Sequence, residues 1–280
     1  MSMAKRARRL AFDAVRTLGR AAASLQVSSR DLAAPTTRAS FLAGIDTSGS
    51  ILEIGPFDCP VFEGENVSYF DVLDQQDLRI RAVAHGRPPD RCPQIEFVSP
   101  SGDLRIVDRK FQTIFSSHVI EHQPDLVAHL QAVGGILAPG GQLCMIVPDK
   151  RFCFDHFIPE TTIAEVLDAA SAAKTHSARS VLLHSLFTTH NNSVAHWLGF
   201  HGDRPRSFQD VGEMQAAMAE RQRSINGEYV DVHAWYFTPE GFLDVMKGLE
   251  AIKSIGLAPV EVHRTAFLDQ EFFAVMRAMA

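Results

Sequence analysis

Long apolar runs are missing from this 280-residue chain. Nowhere do about 18 apolar residues follow one another, so a membrane-spanning helix is excluded. Cysteine is scarce: Cys59, Cys92, Cys144 and Cys153 are scattered without a C-x-x-C pair. That usage argues against a disulfide scaffold and a Cys-rich zinc site, and it suits a reducing, cytoplasmic setting. Neither H-E-x-x-H nor an H-x-x-x-H on a helical stretch occurs, so no helix-borne metal centre is expected. What remains is an ordinary globular balance, 46% hydrophobic and 21% charged, which excludes wholesale disorder.

Charge is unevenly spread. The first forty residues hold eight basic groups against Asp13 and Asp31, although the chain as a whole carries −6. The body is therefore strongly acidic and ill suited to nucleic acid. Residues 3–25 read as one amphipathic helix, with Leu10, Ala14, Leu18, Ala21, Ala22 and Leu25 on one face. Asp13, Arg16 and Arg20 interrupt it as a secretory signal. Peripheral contact with an anionic membrane, packing on the acidic body and a transit function all stay open for this segment.

From residue 50 onward short apolar runs alternate with helical stretches. Ile51–Gly55, Val67–Val72, Ile95–Val98, Phe111–Ser116 and Leu143–Val147 read as strands, and Gln75–Ala84 and Pro124–Leu137 as helices. Strands alternating with helices imply a Rossmann-like, doubly wound α/β fold with a mostly parallel sheet. Its ligand crevice lies at the carboxyl ends of the strands. Thr238-Pro239-Glu240 opens a further helix, and Val260–His263 with Glu271–Met276 predict an antiparallel closing pair.

The strand ends carry the chemistry. Glu53-Ile54-Gly55-Pro56-Phe57 turns the chain with one glycine where a dinucleotide fingerprint has three, so a tight pyrophosphate cradle is not expected. Asp71 ends the second strand, where an acid commonly accepts from ribose hydroxyls. Ser116-Ser117-His118-Val119-Ile120-Glu121-His122 follows the fourth strand, and Leu137-Ala138-Pro139-Gly140-Gly141 leads into the fifth. This ordered series, spanning residues 48–150, resembles the class I S-adenosylmethionine-dependent methyltransferases. Two later stretches, 148–156 and 231–242, are similar to a bacterial subgroup associated with glycan synthesis.

The resemblance implies S-adenosyl-L-methionine as cofactor. Glu53, Gly55 and Pro56 would border its methionine part, Asp71 its ribose and Asp103 its adenine, with Ser117 and His118 as the floor. Pro56-Phe57-Asp58 departs from the family, which commonly has further glycines there. A sulfonium cation with a diol suits an acidic crevice without phosphate-binding glycines.

Residues 151–235 hold seven of the twelve histidines and both tryptophans. Helical stretches at Thr162–Ala173 and Phe208–Arg223 flank a loop-like centre, His190–Ser193 and His196–Gly202. Such a segment reads as a cap over the strand ends that forms an acceptor pocket. Histidine is the natural base for a hydroxyl acceptor, and His118, His122 and His190 are the candidates. A metal held by His196 and His201 with Asp203 or His190 is the sharper alternative.

The organisation expected is thus a basic extension (1–40), a cofactor-binding core (41–150), a cap (151–235) and a completion of the sheet (236–280). The expected function is methyl transfer to an oxygen of a small-molecule or glycan acceptor. A nicotinamide-dependent oxidoreductase and a non-catalytic binding protein of the same fold are the alternatives.

Overall fold

The computed structural model describes residues 32–170, 175–203 and 210–279. The helix expected over 3–25 lies outside the described residues, as do parts of both helical stretches expected in the cap.

Seven strands form one sheet in the order β3-β2-β1-β4-β5-β7-β6. They are β1 (Ile51–Ile54), β2 (Val67–Asp71), β3 (Phe97–Val98), β4 (Phe111–Ser117), β5 (Leu137–Pro148), β6 (Leu257–Val262) and β7 (Glu271–Ala278). The first five run parallel. β7 runs antiparallel between β5 and β6. The doubly wound fold and its antiparallel closing pair are therefore both present. The chain crosses over at β1, which lies between β2 and β4, and this opens the crevice at the strands' carboxyl ends.

Period-2 alternation divides the core. Ile114, Leu143, Met145, Val147 and Phe272 pack on one face with helices α3 (Leu126–Ile136) and α8 (Pro239–Ala251). Phe115, Cys144, Ile146 and Phe273 face the other way, against Phe41 of α1 (Arg38–Ala43) and Ile45. Each fully buried Leu or Phe contributes about 1.5–3 kcal/mol, so two covered faces supply most of the stabilisation. α2 (Gln75–Ala84) starts at Asp74, whose carboxylate accepts from the Asp77 amide, and α3 starts likewise at Asp125.

Two expectations need correction. The fifth strand does not begin at Leu143: Leu137 already pairs with Phe111, and the register shifts between Phe111 and Thr113. Ala138-Pro139-Gly140-Gly141 is thus a bulge within β5. A Cβ on Gly141 would lie 2.9–3.1 Å from the carbonyls of Ala138, Gln112 and Phe111, which is why glycine stands there. The stretch read as loop-like, His190–Ser193 and His196–Gly202, is also not plain loop, because the short α6 (Ser193–Trp197) runs through it; α4 (Ile163–Ala169) and α5 (Ala178–Phe187) precede it and α7 (Val211–Ile225) follows. Among the described residues no helix is long and apolar enough to cross a membrane.

Candidate active site

The strand ends converge as the topology requires. Gly55 leaves β1 at φ +69°, its amide bonded to the Phe70 carbonyl, and a Cβ there would press on Val119 at 2.9 Å. Two non-glycine residues, Phe57 (φ +49°) and His118 (φ +54°), also sit in the left-handed region just past β1 and β4. Such strain costs about 1–3 kcal/mol and is concentrated at functional sites.

Asp71 is buried at the end of β2, where Oδ1 accepts from the Leu73 amide at 3.1 Å. Burial raises its pKa against the opposing pull of backbone amides and the Arg81 guanidinium. Glu53 is buried at β1 and held by the chain that follows it. Its carboxylate accepts from the amides of Val61 (2.9 and 3.0 Å) and Phe62 (3.1 Å). Burial still pushes its pKa up to about 7. Pro56 is buried in the turn, its carbonyl accepting from the Cys59 amide. Asp103 is engaged by its own neighbour: Arg105 donates to both of its oxygens at 2.7–2.9 Å. Ser117 Oγ accepts from Arg38 at 3.1 Å.

A cavity of about 280 Å³ opens beyond β4 and β5, lined by His118, Glu121, His122, Phe154, Asn191 and His233 among others. Its charges are ordered in a chain. Arg38 donates to both oxygens of Glu271 (3.0 and 3.1 Å), which meets His118 Nε2 at 3.0 Å. His118 Nδ1 in turn lies 3.5 Å from Glu121. Burial disfavours charge on His118, but Glu121 and Glu271 overcome it and hold the ring well above the usual imidazole range. Glu121 is fully buried, yet His118 and the nearby histidines hold its pKa down to about 2. Beside it His122 Nδ1 meets Asp231 at 3.1 Å, and its pKa is raised despite burial.

His233 completes the cavity. Its Nδ1 donates to Asp155 Oδ2 at 2.6 Å, and both residues are buried. The segment is fixed by Ala234 and Trp235 amides on the Glu121 carbonyl and by Trp235 Nε1 on the Gln123 carbonyl at 2.6 Å. An imidazole whose Nδ1–H points at a carboxylate presents a proton-accepting Nε2. His190 is differently placed. Its Nδ1 accepts from the Asn192 amide, which leaves Nε2 to donate to the Phe200 carbonyl at 3.1 Å. Both of its ring nitrogens are engaged, and its neighbour Asn191 reaches the cavity instead.

Of the residues singled out from sequence, the fold brings His118 and His122 to one cavity, with Asp71 and Gly55 along the same edge of the sheet. It also adds His233 to the lining, with Glu271, Asp155 and Asp231 as the carboxylate partners of His118, His233 and His122, none of which sequence reasoning assigned a role. Only the D-V-H-A-W stretch at 231–235 carried a local signal, an acid, a histidine and a tryptophan together.

Neither a protein-family model nor a curated protein matches the chain. Solved structures with a similar chain path include several S-adenosylmethionine-dependent methyltransferases. The CcbJ methyltransferase from Streptomyces caelestis is 15% identical, at a TM-score of 0.43 over 86% of this chain and 93% of that one. An S-adenosylmethionine-dependent methyltransferase from Mesorhizobium loti is 14% identical, at 0.42 over 85% and 96%. One from Clostridium acetobutylicum is 10% identical, at 0.40 over 82% and 84%. At such identities these neighbours assign no residue roles.

Proposed function

We propose that this chain transfers a methyl group from S-adenosylmethionine to a hydroxyl of a small-molecule or glycan acceptor. The observation that carries this reading is the pairing of an acid-lined crevice with an adjoining cavity in which His233 is oriented by Asp155. The residues present fit the cofactor. Asp71 stands at the strand end suited to a ribose diol, and Gly55, at φ +69° with Val119 packed where a Cβ would stand, turns the chain there. Asp71, which has no salt-bridge partner among the described residues, supplies the carboxylate nearest in kind to what a sulfonium favours, whereas Glu121, Asp231 and Glu271 are already paired with cations.

When bound, the cofactor supplies an electrophilic methyl carbon; the chain's own residues do the rest. A cavity of about 280 Å³ stands at the small end of ligand sites, so it takes a single ring of the acceptor. His233 Nε2 accepts the hydroxyl proton, and Asp155 stabilises the imidazolium that forms. His118, held protonated between two carboxylates, cannot accept a proton near neutral pH, and with its two ring nitrogens facing Glu271 and Glu121 it acts as a fixed charge. His122, whose proton is favoured by Asp231, is suited to the same part. The cap excludes water and fixes the acceptor within attack distance.

Calorimetry with S-adenosylmethionine, S-adenosylhomocysteine and NAD tests the cofactor. Binding of the first two without NAD is expected, and the reverse would favour an oxidoreductase. His233→Asn keeps the hydrogen bond to Asp155 but removes the base. Turnover should fall about 10²–10⁴-fold with cofactor affinity unchanged. Undiminished turnover would remove His233 from the reaction.

A further inference from the structure

The cap carries a second histidine cluster, separate from the cavity. His156, on the segment leaving β5, stacks on His201 with ring centroids 3.7 Å apart, and His196 lies 5.1 Å from His156. The hydrogen bonds around it fix where the lone pairs point. His156 Nδ1 donates to the Arg151 carbonyl at 2.8 Å, which leaves Nε2 as its free acceptor. His196 Nε2 donates to the His190 carbonyl at 3.0 Å, which leaves Nδ1. That Nδ1 faces His201 Nδ1 at 2.9 Å. One nitrogen from each of the three rings lies within 4.8 Å of the others.

From this convergence we propose that His156, His196 and His201 form a binding site for a single divalent transition ion of the zinc type. Three imidazole nitrogens at about 2.0–2.1 Å from such an ion stand roughly 3.3 Å from one another, and small ring rotations bring this set there. Carbonyl acceptors behind His156 and His196 are the outer partners that fix a ligating tautomer. His201 joins by moving its proton from Nδ1 to Nε2, with no net change in charge. His156 and His201 are partly exposed, so the ion has an entry path and a fourth position for water.

Burial lowers the proton affinity of all three rings, which keeps the neutral, ligating form dominant. Lys150 donates to the His156 carbonyl, and burial disfavours its charge. The other group with ligand spacing, Glu121, His122 and His233, differs in kind. Its carboxylate already has the His118 cation at 3.5 Å, so its charge is balanced without an ion. No salt bridge to the cap trio is found among the described residues. Chain geometry builds it deliberately: α6 ends in a turn through Gly199 (φ +84°), and Gly202 follows at φ +76°, where a Cβ would meet Thr189 Oγ1 at 2.7 Å. Thr189 Oγ1 donates to the His201 carbonyl at 2.7 Å, holding the returning strand of the turn.

The ion would tie the β5 exit to the cap, so its effect is read without any assay of turnover. The full chain, stripped by a chelator, is titrated with Zn²⁺ in a calorimeter and with Co²⁺ in the visible spectrum. One equivalent, a tetrahedral Co²⁺ band and a rise in Tm are expected. His201→Gln, at a partly exposed position, and the double variant His156→Gln/His196→Gln should each weaken binding at least tenfold. Circular dichroism checks that both remain folded. Should either unfold, His196→Gln alone replaces it, with the same loss expected. No saturable binding, or affinity unchanged in the folded variants, overturns the proposal. So does binding that survives them but is lost in His233→Asn, because the ion then sits in the strand-end cavity.

Discussion

Asp71 and His118 set the character of the strand-end crevice, one by accepting and the other by staying charged. Asp71 uses one oxygen on the Leu73 amide, and its burial makes any further donor valuable. Asp71→Ala should weaken S-adenosylmethionine binding about 10- to 150-fold, the worth of one charge-assisted hydrogen bond. Calorimetry on the folded variant checks this, and unchanged affinity would take Asp71 out of the site. His118 yields a stability signature. Its folded pKa of about 10 lies above the ordinary 6.5, so its contribution is complete below pH 6.5 and lost as pH rises through 10. Glu121 runs the other way, present above about 4.5 and lost as pH falls through about 2. The ring is 37% exposed, so solvent screens part of the effect. Urea midpoints of the wild type should fall between pH 7 and 10 relative to His118→Gln. Parallel pH profiles would show that the ring is not held protonated.

At the scale of elements, most of the sheet was legible because buried parallel strands are short apolar runs bounded by turns. Gln75–Ala84 and the Thr238 cap were equally plain, since Asp74 and Thr238 are strong start signals. The beginning of β5 was not legible: Leu137 leaves α3 directly into the strand, and Pro139-Gly140-Gly141 looks like a turn although it is a bulge. α6 is five residues long, too short to show a period of 3.6. The candidate base was hidden for another reason. His233 and Asp155 are 78 residues apart, and only the folded cap brings them together. Gly141→Ala tests the bulge. Three backbone carbonyls within 3.1 Å of the new Cβ cannot swing aside as a side chain can, so a loss of about 1–3 kcal/mol is expected. Denaturant unfolding measures it, and a change within about 0.5 kcal/mol would mean the bulge relaxes freely.

Across the whole molecule, residues 149–235 are tied together and to the rest of the chain by a few strong anchors. Trp197 stacks on Phe152 at 3.9 Å with ring planes 6° apart, and its Nε1 donates to the Asp269 carbonyl at 2.8 Å. Asp149, fully buried at the end of β5, accepts from Arg151 and from Thr265. Arg81 pairs with Asp231 across the crevice, joining α2 to the segment that carries His233. Trp197→Phe retains most of the ring and loses the N–H. Amide exchange over residues 190–201 should quicken and the acceptor KM rise, with cofactor affinity unchanged. Exchange as slow as in the wild type would show that stacking alone holds the cap.

The position of β7 has a consequence for how the molecule comes into being. It is the last of the seven strands in the chain, yet it lies inside the sheet, between β5 and β6. Because it runs antiparallel, its first residue is level with Pro148, which brings Glu271 to His118. While the ribosome still holds residues 271–278, the nascent chain can assemble β1 through β5 but leaves β6 without its neighbour. His118 then has only one of its two carboxylates. Maturation of the crevice therefore waits on β7 slipping between two strands that precede it in the chain, and until it does the sheet is formed but chemically unfinished.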